Sequence, residues 1–287
     1  MENLTNISVV QDLARRHGFH FSKGLGQNFL INPTVCPRIA ELGNARPGFG
    51  VLEIGTGFGV LTAELAKRAD KVVAVEIDQC LRLLPVLEET LADFDNVKIV
   101  PGDIMKIDVA ALLRQEFGGL PVAVCANLPY YITSPILMLL LESRLPLTSI
   151  TVMVQKEAAQ RLCAQVGTRE AGAITVGVHY YGEARQLFPV SRGSFMPAPN
   201  VDSAVIRIDL HENPHPEGLD EGFFFRMVKA GFSQRRKTLA NSLASLLGIP
   251  KQAVYDALEQ AGLAPAARIE QLTMEQLFAL ARILQSA

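Results

Sequence analysis

Between residues 51 and 154 the chain repeats one pattern five times: a short run of β-branched and small apolar residues that ends in a glycine, acidic or amide turn. The runs are 51–54, 72–77, 97–100, 121–126 and 150–154. Helical periodicity fills gaps between them. Over 60–69 it places Leu61, Leu65 and Ala69 on one face. The 79–94 segment contains Pro85, which predicts a kink or a late helix start. Ser134-Pro135 opens another helix, with Ser134 as cap and Pro135 at the first position. Strands alternating with helices at this spacing predict an α/β fold, a mostly parallel sheet covered on both faces.

Two further strand-like stretches, 184–190 and 203–210, add the final strands of the sheet, one of them antiparallel. Residues 1–47 read as a polar, partly helical lead-in. Residues 211–218 (HENPHPEG) read as a linker. From 223 to 287 only helical periodicity remains: Pro250 begins one helix, and Thr273-Met274-Glu275-Gln276 is a capping box before the last, whose Leu277, Leu280, Ala281 and Leu284 face inward. The expected division is 1–210 and 219–287.

With 49% apolar and 20% charged residues in 287, the chain has material for a large core and is not disordered. Its net charge of −2 gives no global reason to expect a nucleic-acid partner. The aliphatic run 136–141 is too short to span a membrane and reads as a buried helix face. Residues 1–10 lack a signal-peptide pattern. Cys36, Cys80, Cys125 and Cys163 form no C-x-x-C pair; Cys125 reads as core filler, and a reducing cytoplasm is the expected setting. His17 and His20 could share a helix face, but no ligand cluster accompanies them, so no metal is expected.

Chemistry concentrates at the strand ends. Glu53-Ile54-Gly55-Thr56-Gly57-Phe58-Gly59 follows a strand and precedes a helix, and its glycines allow a ligand close to the backbone. Alone, this G-x-G-x-G is also compatible with a plain tight turn. Glu76 ends the second strand about 20 residues later, where an acidic side chain accepts both hydroxyls of a ribose. Asp103 follows the third strand, placed to accept from an adenine amino group. The three together imply a nucleoside ligand.

Asn127-Leu128-Pro129-Tyr130 follows the fourth strand. Pro129 stiffens this corner so that the Asn127 amide oxygen and the Leu128 carbonyl point at one spot and accept from an exocyclic NH2. The Tyr130 ring stacks on the base that carries it.

These blocks resemble the small-subunit ribosomal RNA adenine N6-dimethyltransferase family, and less closely the macrolide-resistance methylases of large-subunit RNA. The remaining matching blocks are Gly24-Leu25-Gly26-Gln27-Asn28-Phe29-Leu30, Val75-Glu76-Ile77-Asp78, Gly102-Asp103-Ile104, Gln155-Lys156-Glu157, Phe195-Met196-Pro197-Ala198-Pro199-Asn200-Val201-Asp202-Ser203 and Phe232 to Leu239. The resemblance implies a Rossmann-like domain that binds S-adenosyl-L-methionine (SAM), followed by a small all-helical C-terminal domain that contacts RNA. It implies dimethylation of two adjacent adenosines near the 3′ end of 16S rRNA, in the 30S subunit or its precursor, by a cytoplasmic monomer.

By that similarity Asn28 and Leu30 close over the methionine part of SAM, Gly55 and Gly57 line it, Glu76 holds the ribose and Asp103 the adenine. Asn127 lies between cofactor and target, and Phe195 packs on the target adenine opposite Tyr130. Thr56 stands where the family more often has proline, and Tyr131 where many members carry asparagine; neither is expected to touch a predicted acceptor. Gln155, Lys156 and Glu157 either support the floor of the site or form a solvated strand end. Arg235, Arg236 and Lys237, at a helix start, are the expected phosphate contacts. Arg15, Arg16 and Lys23 extend that basic surface. The target base must leave its stack to reach Asn127. The alternatives are a large-subunit methylase, a DNA adenine methylase and an inactive assembly or transcription factor on the same fold.

Overall fold

A computed structural model describes residues 4–19, 28–77, 83–212, 214 and 216–286. His20, Lys23, residues 24–27 of the first matching block, Asp78 and Cys80 lie outside the described residues. The chain forms two compact units, Met1–Ala159 with Arg185–Leu210, and Gln160–Ala184 with His211–Ala287. This differs from a boundary at 210, because residues 160–184 join the C-terminal helices.

In the first unit, helix α1 (Ile7–Arg16) precedes strand β1 (Phe29–Leu30) and helix α2 (Val35–Leu42). Then come β2 (Gly50–Ile54), α3 (Val60–Ala66), β3 (Lys71–Glu76), α4 (Leu84–Thr90), β4 (Val97–Pro101), α5 (Val109–Phe117), β5 (Val122–Asn127), α6 (Thr133–Glu142) and β6 (Leu147–Gln155). Helix α7 (Lys156–Leu162) follows β6 directly, and α8 (Ala173–Tyr181) follows α7. Strand β7 (Gly182–Val190), the short β8 (Phe195–Met196) and β9 (Ser203–Leu210) complete the sheets.

The main sheet runs β4-β3-β2-β5-β6-β9-β7. Its first five strands pair in parallel, and β9 is antiparallel to β6. β2, β3 and β5 are buried along nearly their whole length, which accounts for their mostly apolar sequence, with Glu53 of β2 the buried exception. The order reverses between β2 and β5. At such a switch point the loops leaving the strands' carboxyl ends part and open a crevice for a ligand. On one face, Leu61 and Leu65 of α3 and Ile39 of α2 pack with Val51, Val72 and Cys125.

Two local expectations change. Ser134 is not a cap: α6 starts at Thr133, with Ile132 before it and no side-chain cap. A single 3-10 turn, Tyr130–Ile132, feeds the helix, and Pro129 O accepts from both Ile132 N and Thr133 Oγ1. That leaves Pro135 in the first turn, where its missing N–H costs nothing. α5, α7 and α8 are helices that the apolar patterning did not separate from their loops. Pro85 sits in the first turn of α4, as its late start requires.

In the second unit, Tyr180 contacts the rings of Phe224, Phe225 and Phe278, which explains why residues 160–184 belong there. Its other helices are α9 (Glu221–Ser233), α10 (Leu239–Leu247), α11 (Lys251–Gln260) and α12 (Met274–Leu284). The capping box forms: Thr273 Oγ1 accepts from Gln276 N, and Gln276 Oε1 accepts from Thr273 N. Leu277, Leu280, Ala281 and Leu284 are buried.

Candidate active site

One cavity lies at the switch point, with about 860 Å³ of empty space including the part open to solvent. Asn28, Leu30, Gly55, Gly57, Glu76 and all four residues of the Asn127–Tyr130 corner line it. Gly55, Gly57, Glu76 and the corner stand at or just after the ends of β2, β3 and β5, whose parallel register gathers them. Asn28, just before β1, and Leu30 come with the separate β1–β8 pair.

Gly55, Gly57 and Gly59 have φ of 78°, 53° and 83°, the left-handed region open to glycine at little cost. A Cβ on Gly55 would meet nothing within 4 Å, so this backbone faces open space. A Cβ on Gly57 would lie 3.3 Å from the Phe29 ring, which stacks on Phe58 with centroids 4.5 Å apart. The turn is therefore shaped both toward the cavity and toward the aromatic cluster beneath it.

Glu76 is 7% exposed and ends β3. Its Oε2 accepts from Thr56 N and from Thr56 Oγ1, each at 2.8 Å. Thr56 thus does touch a predicted acceptor, contrary to expectation. The contact was hidden in sequence because it depends on the register of two strands 20 residues apart. Glu53 also borders the cavity and is fully buried. Neither of its oxygens makes a hydrogen bond, although the Thr62 hydroxyl lies beside it. Burial pushes its carboxyl well above the usual range; Thr62 opposes the shift and the Glu76 charge adds to it. Perturbed, unpaired carboxyls of this kind gather at functional sites.

At the corner, Leu128 anchors its side chain in the core and Tyr130 is half-buried. The Tyr130 hydroxyl pairs with Ser203 Oγ at 2.7 Å. Burial raises the Tyr130 pKa, and the Ser203 bond offsets part of that. Tyr131 is 63% exposed.

Asp103 and Phe195 do not meet their expectations in this cavity, and of the two readings for 155–157 the floor of this cavity is the one that does not hold. Asp103 is not among the cavity-lining residues. Its Oδ1 accepts from Met105 N, closing its own turn, and Lys106 Nζ lies 3.6 Å from Oδ2. The loop still abuts Glu76, since Gly102 N donates to Glu76 O. Phe195 is 3% exposed and belongs to the core with Ile39 and Val190; it pairs with Leu30 in the β1–β8 ladder and is not among the cavity-lining residues. Gln155, Lys156 and Glu157 line a separate cavity with Arg192, Asn200, Val201 and Asp202. Cys125 is buried, with its thiol 3.4 Å from Gly43 O, as a core residue would be.

The basic residues divide as well. In the second unit Arg235 is tied to Glu270 and to the Arg169 carbonyl. Arg236 and Lys237 are exposed, in the turn before α10 and not within a helix. In the first unit Arg15 pairs with Asp12, and Arg16 with Asp12 and Glu89. These pairs leave little net positive charge on α1. Among the described residues no group of three or more His, Cys, Asp or Glu is placed to hold a metal ion, and no helix is long and apolar enough to cross a membrane.

A mostly parallel sheet flanked by helices, with a cavity at its switch point, is a Rossmann-like fold, and its solved counterparts are methyltransferases. A solved 23S rRNA methyltransferase, ErmE, superposes with a TM-score of 0.69 at 31% identity, covering 90% of this chain and 100% of that one. A dimethyladenosine transferase from Plasmodium falciparum superposes at 0.73 with 26% identity, over 88% and 95% of the two chains. Curated relatives called ribosomal RNA small subunit methyltransferase A are 44% identical in Geobacillus sp. strain WCH70 (96% of this chain, 95% of the relative) and 45% identical in Bacillus cytotoxicus (99% and 98%). The family model described as ribosomal RNA adenine dimethylase matches residues 18–286, and the chain belongs to that family.

Proposed function

We propose that this protein dimethylates N6 of two adjacent adenosines near the 3′ end of 16S rRNA, in the cytoplasm, on the 30S subunit or its precursor, using SAM. The carrying observation is that the Asn127–Tyr130 corner lines the same cavity as Gly55, Gly57 and Glu76. A nucleoside held by the glycine turn would therefore lie next to a base held by the corner. Small-subunit relatives at 44–45% identity, against 31% for the 23S enzyme, favour the small-subunit substrate.

The residues suit the cofactor. The positive-φ Gly55, facing open space, admits a ligand against the backbone, and Glu76 is an anchored acceptor for ribose hydroxyls. Asn28 and Leu30, which line the cavity, would cover the methionine portion. SAM, when bound, supplies an electrophilic methyl group on a sulfonium. The Asn127 amide oxygen and the Leu128 carbonyl accept hydrogen bonds from the target N6, drawing that nitrogen toward tetrahedral geometry with its lone pair available. Positive charge growing on N6 is eased by these acceptor dipoles and by the Tyr130 ring face. The proton then passes to solvent. Catalysis belongs to the unit built from Met1–Ala159 and Arg185–Leu210, and Arg236 and Lys237 of the other unit contact rRNA.

Labelled SAM offered with undermethylated 30S particles, 50S precursors or DNA tests the reading, with label expected in 30S alone. Asn127→Ala is expected to abolish transfer while SAM still binds. Full turnover by that variant, or label only in 50S or DNA, would refute the assignment.

A further inference from the structure

We infer that Thr56 is a positioning residue for the cofactor's ribose: it fixes the Glu76 carboxylate in the orientation that receives the sugar hydroxyls. The inference rests on reading the cavity as a SAM site.

Thr56 directs both of its donors at one atom. Its backbone N–H and its hydroxyl each donate to Glu76 Oε2 at 2.8 Å, and the residue is 5% exposed. The hydroxyl has one other acceptor nearby, the Gly57 carbonyl at 3.5 Å, so the shorter bond to the carboxylate holds its proton. Glu76 ends β3, and Thr56 lies in the turn two residues beyond β2, the strand paired with β3 in fixed register. Ile54 of β2 pairs with Val75 of β3, and Gly55 N donates to Val75 O at 2.9 Å. The anchor therefore starts one residue beyond the last paired position of two central strands.

A glutamate carboxylate turns about its terminal bond at little cost, and one oxygen accepts about two hydrogen bonds. Two donors converging on Oε2 stop that rotation and occupy that oxygen. The orientation of the carboxylate is then set before the ligand arrives, which lowers the ordering cost of binding. Proline, the residue the family pattern favours here, has neither donor. In this chain threonine adds a two-point anchor.

The test is equilibrium binding of S-adenosylhomocysteine, and of its 2′,3′-dideoxyribose analogue, to the full-length protein and to Thr56→Val, Thr56→Ala and Thr56→Ser. Thr56→Val is expected to weaken S-adenosylhomocysteine by about tenfold, the loss of one hydrogen bond to a charged group. The dideoxy analogue should stay within about twofold, because it has no hydroxyls for Glu76 to receive. Thr56→Ser should restore binding. Thr56→Ala should match valine, which covers the case in which valine packs badly. If both ligands weaken equally in valine and alanine variants, threonine merely shapes the turn and the inference is overturned. It is overturned as well if neither ligand weakens. A wild-type protein that binds no S-adenosylhomocysteine overturns the cofactor reading itself, a failure visible before any variant is compared.

Discussion

The Tyr130 hydroxyl lies 2.7 Å from Ser203 Oγ, fastening the corner after β5 to the first residue of β9. Ser203 in turn sits opposite Gln155 in the antiparallel pairing of β6 and β9. The ring that faces the cavity is thus held from the far half of the sheet. Ser203→Ala is expected to cost about 1 kcal/mol of stability and to lower the single-turnover methylation rate several-fold, with Tyr130→Phe behaving alike. Tyr130→Ala should lose the stacking contribution as well, about 1–3 kcal/mol. An unchanged rate in Ser203→Ala would mean that packing alone orients the ring.

Gly57→Ala combines two penalties: a left-handed φ of 53° and a Cβ that would press on Phe29 at 3.3 Å. The conformational part alone is about 1–2 kcal/mol. Gly118→Ala carries only that part, since φ is 56° there and nothing lies within 4 Å. Urea unfolding should therefore show a larger loss for Gly57→Ala than for Gly118→Ala; equal losses would remove Phe29 from the account.

Glu53 makes stability depend on pH. Burial raises its folded-state pKa well above the ordinary 4.5, so the folded protein holds this proton more tightly than the unfolded chain. The contribution is complete below the unfolded value and is lost as pH rises toward the folded one. Glu53→Gln removes that slope. The unfolding free energy of the variant relative to wild type should increase between about pH 5 and about pH 7.5. A difference that stays flat across this range would show that Glu53 does not titrate in this way.

Arg235, Arg236 and Lys237 should separate by assay. Arg235 holds Glu270 and the Arg169 carbonyl, so Arg235→Ala should chiefly lower the melting temperature. The exposed pair should act through phosphate. Arg236→Ala with Lys237→Ala is expected to reduce the salt slope of rRNA binding by about 2, leaving stability unchanged. A salt slope that Arg235→Ala alone reduces would reverse the assignment.

Local composition carried much of this protein in advance. The strands of the parallel sheet were legible because burial on both faces demands continuous apolar runs, and β9 has the bounds its sequence suggests. The glycine turn, Glu76 and the Asn127–Tyr130 corner were legible because each ends such a run. α5 and α7 were not, since short helices with an exposed face resemble loops until a partner surface is known, and α8 was not, since a short apolar run buried on most sides carries no helical period. Tertiary structure alone decided which side chains were consumed by contacts distant in sequence: Phe195 in the core beside Leu30, Arg235 on Glu270, and Thr56 and Ser203 on Glu76 and Tyr130. Strand identity follows from the periodicity of nearby residues, whereas a hydrogen bond across strands depends on register, order and the twist that brings their ends together.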